Sequence, residues 1–313
     1  MSWILVLLSI VQFLLLLIVA PGAVGLLRTL KGRLQGRRGP SPWQPYRDLR
    51  KLWAKDEQIS EDASFLFRFA PLASLAAIIV AASMVPIICR SVLGPGSDLV
   101  LIIYLLMLSR LMLVLASLEG GGSFGGMAGS RETMISILIE PAMLLSIFAL
   151  AALAGSTELV QTSASIIDGG YGVLGPTLLL AAASFCISTL AENARVPFDN
   201  PATHLELTMV HEGMLLEYSG RSLALMEYSS WLKLTLFISM LISGFAPWGI
   251  AAGSDPLALL IALVAFILKF LLALGLIAIL ESQMAKMRLF RLPNLLTTSF
   301  ALGFLALMAL YIL

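Results

Sequence analysis

Long apolar stretches separated by polar segments dominate this chain. A helix needs about 20 mostly apolar residues to cross a bilayer whose hydrocarbon core is about 30 Å thick. Eight stretches meet this requirement, so the sequence predicts an all-α, polytopic integral membrane protein with eight transmembrane helices. The predicted spans are 2–27, 69–89, 99–118, 133–154, 173–191, 229–250, 256–280 and 292–313. They form one membrane domain, 1–313, with two long polar loops, 28–68 and 192–228.

The composition excludes several classes of protein. The chain is 59% hydrophobic and 12% charged, whereas soluble domains are about 45–50% apolar and about 25% charged. A net charge of +1 argues against a nucleic-acid binder. The two cysteines, Cys89 and Cys186, lie far apart in apolar runs and form neither a CxxC pair nor a disulfide framework. We therefore expect this chain to bind no metal and no cofactor of its own.

Basic residues are distributed unevenly between the two sets of loops. The loops after spans 1, 3, 5 and 7 contain 16 of the 20 basic residues, whereas those after spans 2, 4 and 6 contain only Arg90. Basic loops of membrane proteins remain in the cytoplasm. The sequence therefore predicts a cytoplasmic position for loops 28–68 and 192–228. We expect the protein in the inner (cytoplasmic) membrane, with both termini on the side opposite the cytoplasm.

Charged residues inside the predicted spans indicate an ion path. Arg110, Glu140 and Lys269 lie within spans, where a charge costs at least about 2.5–3.5 kcal/mol and usually faces the bundle interior or water. Structural ion pairs are the alternative. Lys233 lies near a span end, so we interpret it as a lysine that extends to the interface. Pro141 follows Glu140 and predicts a kink, because proline deprives a preceding carbonyl of its helical partner.

Loop 192–228 contains many acids and both histidines. His204 and His211 lie seven residues apart and would share a helix face. A zincin motif is excluded, because a leucine occupies the position of its second histidine. We interpret the two histidines as surface or partner-facing residues. Glu206 and Glu217 form either a proton relay or a solvated acidic face.

Three segments are similar to one protein family. Residues 38–40 (RGP) and 43–56 (WQPYRDLRKLWAKD) resemble its pattern after the first span. Residues 191–199 (AENARVPFD) resemble its A-E-x-x-R-x-P-F-D pattern, and 217–220 (EYSG) its E-Y-S-G pattern. The family comprises the membrane subunit that joins the proton-pumping arm to the redox arm in respiratory complex I, where the mitochondrial form is called subunit 1, and in membrane-bound nickel–iron hydrogenases.

Two features favour the hydrogenase branch of this family, which includes formate hydrogenlyase subunit 4 and its counterpart in hydrogenase-4. The linker between 38–40 and 43–56 is shorter than in complex I subunits. Residues 130–132 (SRE) with 140–141 (EP) resemble the hydrogenase pattern. Segment 200–216 departs from the family, because its acid-rich run is replaced and only Glu206 has an equivalent there.

The resemblance implies a non-catalytic subunit of an oxidoreductase complex, which docks the redox arm and couples electron transfer to proton or ion translocation. A quinone-reducing complex I subunit is the alternative within the family. The absence of internal repeats disfavours a secondary transporter, and the charges in the spans disfavour a passive anchor. The implied proton or ion path comprises Arg110, Glu132, Glu140, Glu192, Arg195, Asp199, Glu206, Glu217, Glu227 and Lys269.

The partners follow from the same resemblance. We expect the large subunit and the iron–sulfur subunits of a nickel–iron hydrogenase at the cytoplasmic face, antiporter-like subunits in the membrane, and the lipid bilayer. The nickel–iron and iron–sulfur centres would belong to those partners, and quinone binding stays open. Basic and aromatic residues of loop 28–68, together with one acid, are the docking candidates. They are Arg37, Arg38, Trp43, Tyr46, Asp48 and Lys51.

Overall fold

The computed structural model describes residues 3–59, 63–90, 96–170, 175–200, 209–253 and 255–312. Within these ranges the chain forms ten α-helices. They are α1 Trp3–Leu34, α2 Gln44–Trp53, α3 Phe65–Ser83, α4 Leu99–Glu119, α5 Ser123–Ala154, α6 Leu159–Asp168, α7 Pro176–Glu192, α8 Gly220–Phe245, α9 Pro256–Gln283 and α10 Leu292–Ile312.

Each of the eight predicted spans corresponds to a helix, which confirms the all-α membrane architecture. Seven helices in the described ranges are long and apolar enough to cross a membrane. The helix at the fifth predicted span, α7, has only 17 residues. Several helix boundaries differ from those of the predicted spans. Helix α3 ends at Ser83, α5 begins at Ser123 and continues through Pro141, and α8 begins at Gly220 and ends at Phe245.

Helix α8 forms the centre of the bundle. In its most apolar window, 72% of the residues are buried, compared with 22% in α1, α9 and α10. It packs against α1, α3, α7 and α9, while α5, α7 and α10 form a second packed group. Serines join this second group: Ser184 Oγ donates to the carbonyl of Ser299 at 2.7 Å, and Ser299 Oγ donates back at 2.9 Å. Such contacts replace the hydrophobic driving force that lipid does not provide.

The helix ends that carry the long polar segments lie together, and we call this side the polar end. It comprises the ends of α1, α4, α7 and α9 and the beginnings of α3, α5, α8 and α10. The charged residues of the predicted site concentrate at this end.

At the opposite end, two segments at the tips of α3 and α8 are not helical, 84–90 and 246–253. Non-helical backbone at membrane depth needs partners within the protein. The side-chain oxygen of Gln12 accepts bonds from three successive N–H groups of the first segment at 3.3–3.4 Å. The ammonium of Lys269 donates to two carbonyls of the second, one of them at 2.7 Å. Lys269 therefore stabilises the chain after α8 and does not contact the charged residues of the polar end.

Candidate functional site: a charged path from the polar end

A chamber of about 650 Å³ opens at the polar end. Its wall is formed by the end of α1, the segment after α7, the beginning of α8 and the end of α9. Both basic and acidic residues line the chamber. The charged lining residues are Arg28, Lys31, Arg37, Arg38, Arg195, Asp199, Glu212, Glu227 and Glu281. This mixture of charges favours water over lipid inside the chamber.

Glycines bring the basic segment 35–42 against α1. A Cβ atom on Gly25 would lie 2.0 Å from the carbonyl oxygen of Pro42, and one on Gly39 would lie 2.8 Å from that of Thr29. Only glycine permits such a close backbone approach. The Thr29 hydroxyl closes the contact by donating to the carbonyl of Pro40 at 2.7 Å. As a result, the two arginines of this segment lie at the mouth of the chamber.

Glu281 is a buried anion beside the chamber. It is only 5% exposed and pairs with Lys31 at 3.0 Å and with Arg195 at 3.4 Å. Sequence analysis missed Glu281, because it lies one residue beyond the predicted end of its span. The signal that could have found it is an acid in the last turn of a long apolar helix.

Asp199 anchors the segments around the chamber. Its carboxylate accepts N–H groups from Asn200, Val210 and His211 at 2.8, 3.1 and 3.3 Å. Lys286 donates to the same carboxylate at 2.5 Å. Asp199 thus fixes the chain on both sides of the 201–208 segment.

Deeper in the bundle, four charged side chains form a cluster, which we call the buried cluster. The Glu192 carboxylate lies 2.8 Å from Arg110 and 2.6 Å from Lys233, and Arg110 also lies 3.3 Å from Glu140. The side chains of Arg110, Glu192 and Lys233 are 3%, 0% and 7% exposed. The interpretation of Lys233 as an interfacial lysine is therefore wrong. Helix α8 begins at Gly220, which places Lys233 well inside the bundle.

The contacts within the buried cluster are ion pairs that leave hydrogen-bonding capacity unused. Among the residues described, both oxygens of Glu192 and Nη1 of Arg110 make no aligned hydrogen bond. Buried polar atoms usually have a hydrogen-bond partner, which is either a protein group or ordered water.

Two acids of α5 lie at the cluster but differ in exposure. Glu132 is 5% exposed and interacts electrostatically with Arg110, Glu192 and Lys233. The side chain of Glu140, in contrast, is 40% exposed. Ile137, one turn earlier on the same helix face, is 66% exposed. Glu140 therefore connects the buried cluster to the lateral surface of the bundle.

A second cavity of about 20 Å³ lies beside the cluster and has room for about one water. Arg110 and Lys233 line it, and His211 lines both this cavity and the chamber. His211 is half-buried between the two spaces, and the hypothesis that it faces a partner stays a prediction. Burial, and then repulsion by Lys233, lower the pKa of His211 from 6.5 to about 4, although Asp199 opposes the shift. At neutral pH its imidazole is uncharged.

Glu212, the next residue, borders the chamber. Burial raises the pKa of its carboxyl from 4.5 to about 7, and the nearby charge of Glu227 adds to the shift. Glu212 was not singled out from the sequence. The residue is evident in the sequence as an acid, but Glu227, whose charge acts on it, belongs to helix α8.

The remaining predicted path residues are distributed more widely. Glu227 lines the chamber. Glu217 lies on the surface against the glycines that precede α5, where a Cβ atom on Gly122 would lie 2.0 Å from its Oε1 atom. Glu206 and His204 lie outside the described residues. The structure thus assembles most of the predicted path but separates Glu217 and Lys269 from the buried cluster.

The predicted docking residues divide between two surfaces. Arg37, Arg38 and Lys51 are exposed at the polar end. Trp43 and Tyr46 instead line an apolar groove of about 360 Å³ between α1, α2 and α9. The Tyr46 hydroxyl donates to a carbonyl of α1 at 2.5 Å. Asp48 accepts a bond from Gln44 at 2.9 Å within α2, and it lies 4.0 Å from Arg28.

With this arrangement in place, comparison with known proteins identifies the family. The family described as NADH dehydrogenase matches residues 6–312. This chain belongs to that family. It is 35% identical to hydrogenase-4 component C of Escherichia coli over 303 residues, covering 96% of this chain and 95% of that protein. It is 33% identical to formate hydrogenlyase subunit 4 of Escherichia coli over 307 residues, covering 97% and 98%.

A solved structure shows the same fold. A chain of the membrane-bound sulfane sulfur reductase, an archaeal respiratory membrane complex, matches with a TM-score of 0.85 and 20% identity, covering 97% of this chain and 99% of that chain. These similarities confirm the family expected from the three sequence motifs. They also show a membrane protein homologous to components of multi-subunit respiratory and hydrogenase complexes.

Proposed function

We propose that this chain is a membrane subunit of an energy-converting redox complex of the hydrogenase or formate hydrogenlyase type. In this role it docks the peripheral redox subunits and couples their electron transfer to proton or ion translocation. One observation carries the proposal, namely the succession of polar sites from the chamber, through the buried cluster, to Glu140 at the lateral surface. The chain itself performs no redox chemistry in this assignment.

The coupling proposal follows from the electrostatics of buried carboxylates. Their proton affinity responds strongly to nearby charges and to desolvation. Glu192 lies between two cations, so a change in the nearby charge alters the electrostatic potential at its carboxylate. Electron transfer in redox subunits docked at the chamber would change the electrostatic potential at Glu281 and Arg195. These two residues form an ion pair and line the chamber. A proton released there would move toward Glu140.

Two docking surfaces support the assignment to a complex. The exposed Arg37 and Arg38 at the chamber mouth suit the hydrogenase large subunit and iron–sulfur subunits, which would carry the metal centres. An exposed carboxylate such as Glu140, in the middle of a membrane helix, is costly against lipid. An antiporter-like membrane subunit would cover it. The basic polar end is assigned to the cytoplasm of the inner membrane, with both termini outside.

Quinone reduction, as in complex I, is supported less well. The groove at α1, α2 and α9 is apolar and suits a hydrocarbon tail. However, α1 turns Leu15, Val19 and Leu26 toward this groove and Val24 and Leu27 toward the chamber. The described linings of the two spaces share no residue, so α1 separates the apolar groove from the polar chamber. The geometry favours a complex that does not need a quinone at this site.

The proposal is tested by Glu140→Gln in the complete complex. Glutamine keeps the size and polarity of the side chain but cannot carry a proton. We expect redox activity and assembly to be retained, while ion translocation in sealed proteoliposomes falls by at least about tenfold. Glu158→Gln, at the opposite end of the bundle, is the matched control. Normal translocation by the Glu140→Gln complex would contradict the proposed path.

A further inference from the structure

The chamber and the small cavity are separated by a thin wall. In the part of the chain that the structure describes, only His211 and Ser230 line both spaces. Beyond this wall stand Arg110 and Lys233, the two cations that hold Glu192. The two shared residues therefore lie between the chamber and the cavity beside the buried cluster.

We propose that His211 transfers protons between the chamber and the buried cluster, with Ser230 orienting the water in the small cavity. This inference rests on the proposed function, because it names the entry step of that path. One ring nitrogen accepts a proton from chamber water, and the other nitrogen releases its own proton to the water of the small cavity. The ring is then the other neutral tautomer, and transfer of a proton from one ring nitrogen to the other through water restores the starting one. No net charge or bond is gained by the protein.

The backbone holds His211 in place for this role. Its N–H donates to the Asp199 carboxylate at 3.3 Å, and its carbonyl accepts the N–H of Met214 at 3.2 Å. Asp199 is itself held by Lys286 at 2.5 Å. The residue immediately precedes the short 3-10 helix Glu212–Leu215. The main chain is thus fixed from both sides, while the imidazole remains at the boundary between the cavities.

Burial is the main reason that the pKa of His211 is lowered, and the surrounding charges act on it in both directions. Lys233 of α8 and Arg195 after α7 disfavour the charged ring, whereas Glu192 of α7 and Asp199 favour it. A neutral imidazole has one N–H donor and one acceptor nitrogen, as a relay requires. An apolar side chain would fill the same volume but would separate the two waters. A structural role alone would not need both ring nitrogens.

The test uses the complete complex in proteoliposomes, with protons translocated per electron as the readout. His211→Ala should lower this ratio by at least about tenfold, and added imidazole, which can enter through the chamber, should restore it. Pyrazole, a weakly basic molecule of the same shape, should not restore it. His211→Gln keeps hydrogen-bonding groups without a titratable ring, so its ratio should also stay low.

Serine variants supply the control. Ser230→Ala should slow translocation severalfold. Ser239→Ala makes the same change on the same helix, but Ser239 lines neither cavity, and its hydroxyl donates to the carbonyl of Thr235 at 2.8 Å. We expect it to behave as the wild type.

Three outcomes would overturn the inference: a normal ratio in His211→Ala, a normal ratio in His211→Gln, or equal rescue by pyrazole and imidazole. Should His211→Ala fail to assemble, the ratio in His211→Gln decides. Glu140→Gln, measured in parallel, separates the two levels of the argument. Loss of translocation in Glu140→Gln alone refutes only the role of His211. Normal translocation in both variants refutes the proposed function as well.

Discussion

Removing the charge of Glu192 should leave Lys233 buried without compensation. Glu192 lies 2.6 Å from Lys233 and 2.8 Å from Arg110. After Glu192→Gln, Arg110 keeps Glu140 at 3.3 Å. In the described part of the chain, Lys233 has no other acid within ion-pair distance. Breaking a buried pair on one side costs about 3–5 kcal/mol. We expect the free energy of unfolding to fall by that amount.

Removing both charges should cost much less. Replacement of a buried ion pair by uncharged residues of similar volume is often neutral or stabilising. Glu192→Gln combined with Lys233→Met should therefore recover at least about 2 kcal/mol relative to the single variant, which is within the range of coupling energies between contacting residues. The ammonium of Lys233, and not the loss of hydrogen bonds by the carboxylate, would then account for the damage.

The measurement is equilibrium unfolding of the full chain in bicelles, with steric trapping as the method that reports the unfolded fraction. Asp168→Asn is the control, because the Asp168 side chain is 74% exposed and lies 4.0 Å from Arg90. Such exposed pairs contribute about 0.2–1 kcal/mol. The reasoning is refuted if Glu192→Gln costs less than about 1 kcal/mol, or if the added Lys233→Met change brings no recovery.

Three other predictions concern the polar end. Because the pKa of Glu212 rises from 4.5 to about 7 on folding, the folded chain binds an extra proton between these values, and its stability falls as the pH rises through this window. Glu212→Gln should flatten that slope in unfolding titrations, and an unchanged slope would show another origin. Arg38→Ala should reduce co-purification of peripheral redox subunits through a tag on this chain, whereas Lys55→Ala, an equally exposed charge outside the chamber, should not. Alkaline phosphatase should be active when fused after Leu313 and inactive at Lys55, and the reverse would refute the orientation.

The membrane architecture could be predicted from the sequence because its signal is local. A span is recognised from the length and hydropathy of consecutive residues, and all eight predicted spans coincide with helices. The span boundaries were predicted less accurately than the spans themselves, most clearly at the beginnings of α5 and α8. Residues 123–132 contain glycines and charges that favour a loop locally, but the helix continues through them because it is packed in the bundle.

Part of the candidate site was also visible in the sequence. Arg110 and Glu140 were identified from their depth within apolar spans, and Glu192 and Asp199 from the motif at 191–199. Lys233 was misjudged because the polar beginning of α8 resembles a loop. Lys269 was assigned to the path only because it lies deep within a span. Depth in a span does not show which groups the ammonium contacts, and in the structure these are backbone carbonyls.

The sequence by itself therefore determined the all-α membrane architecture, the polar end and the presence of charges that must find partners. The tertiary structure alone decided which partners they find. Lys31 and Glu281 are 250 positions apart, and only the packing of α1 beside α9 brings them to 3.0 Å. His211 lines both the chamber and the small cavity for the same reason. Hydropathy depends on neighbours in the chain, whereas ion pairing and water access depend on neighbours in space.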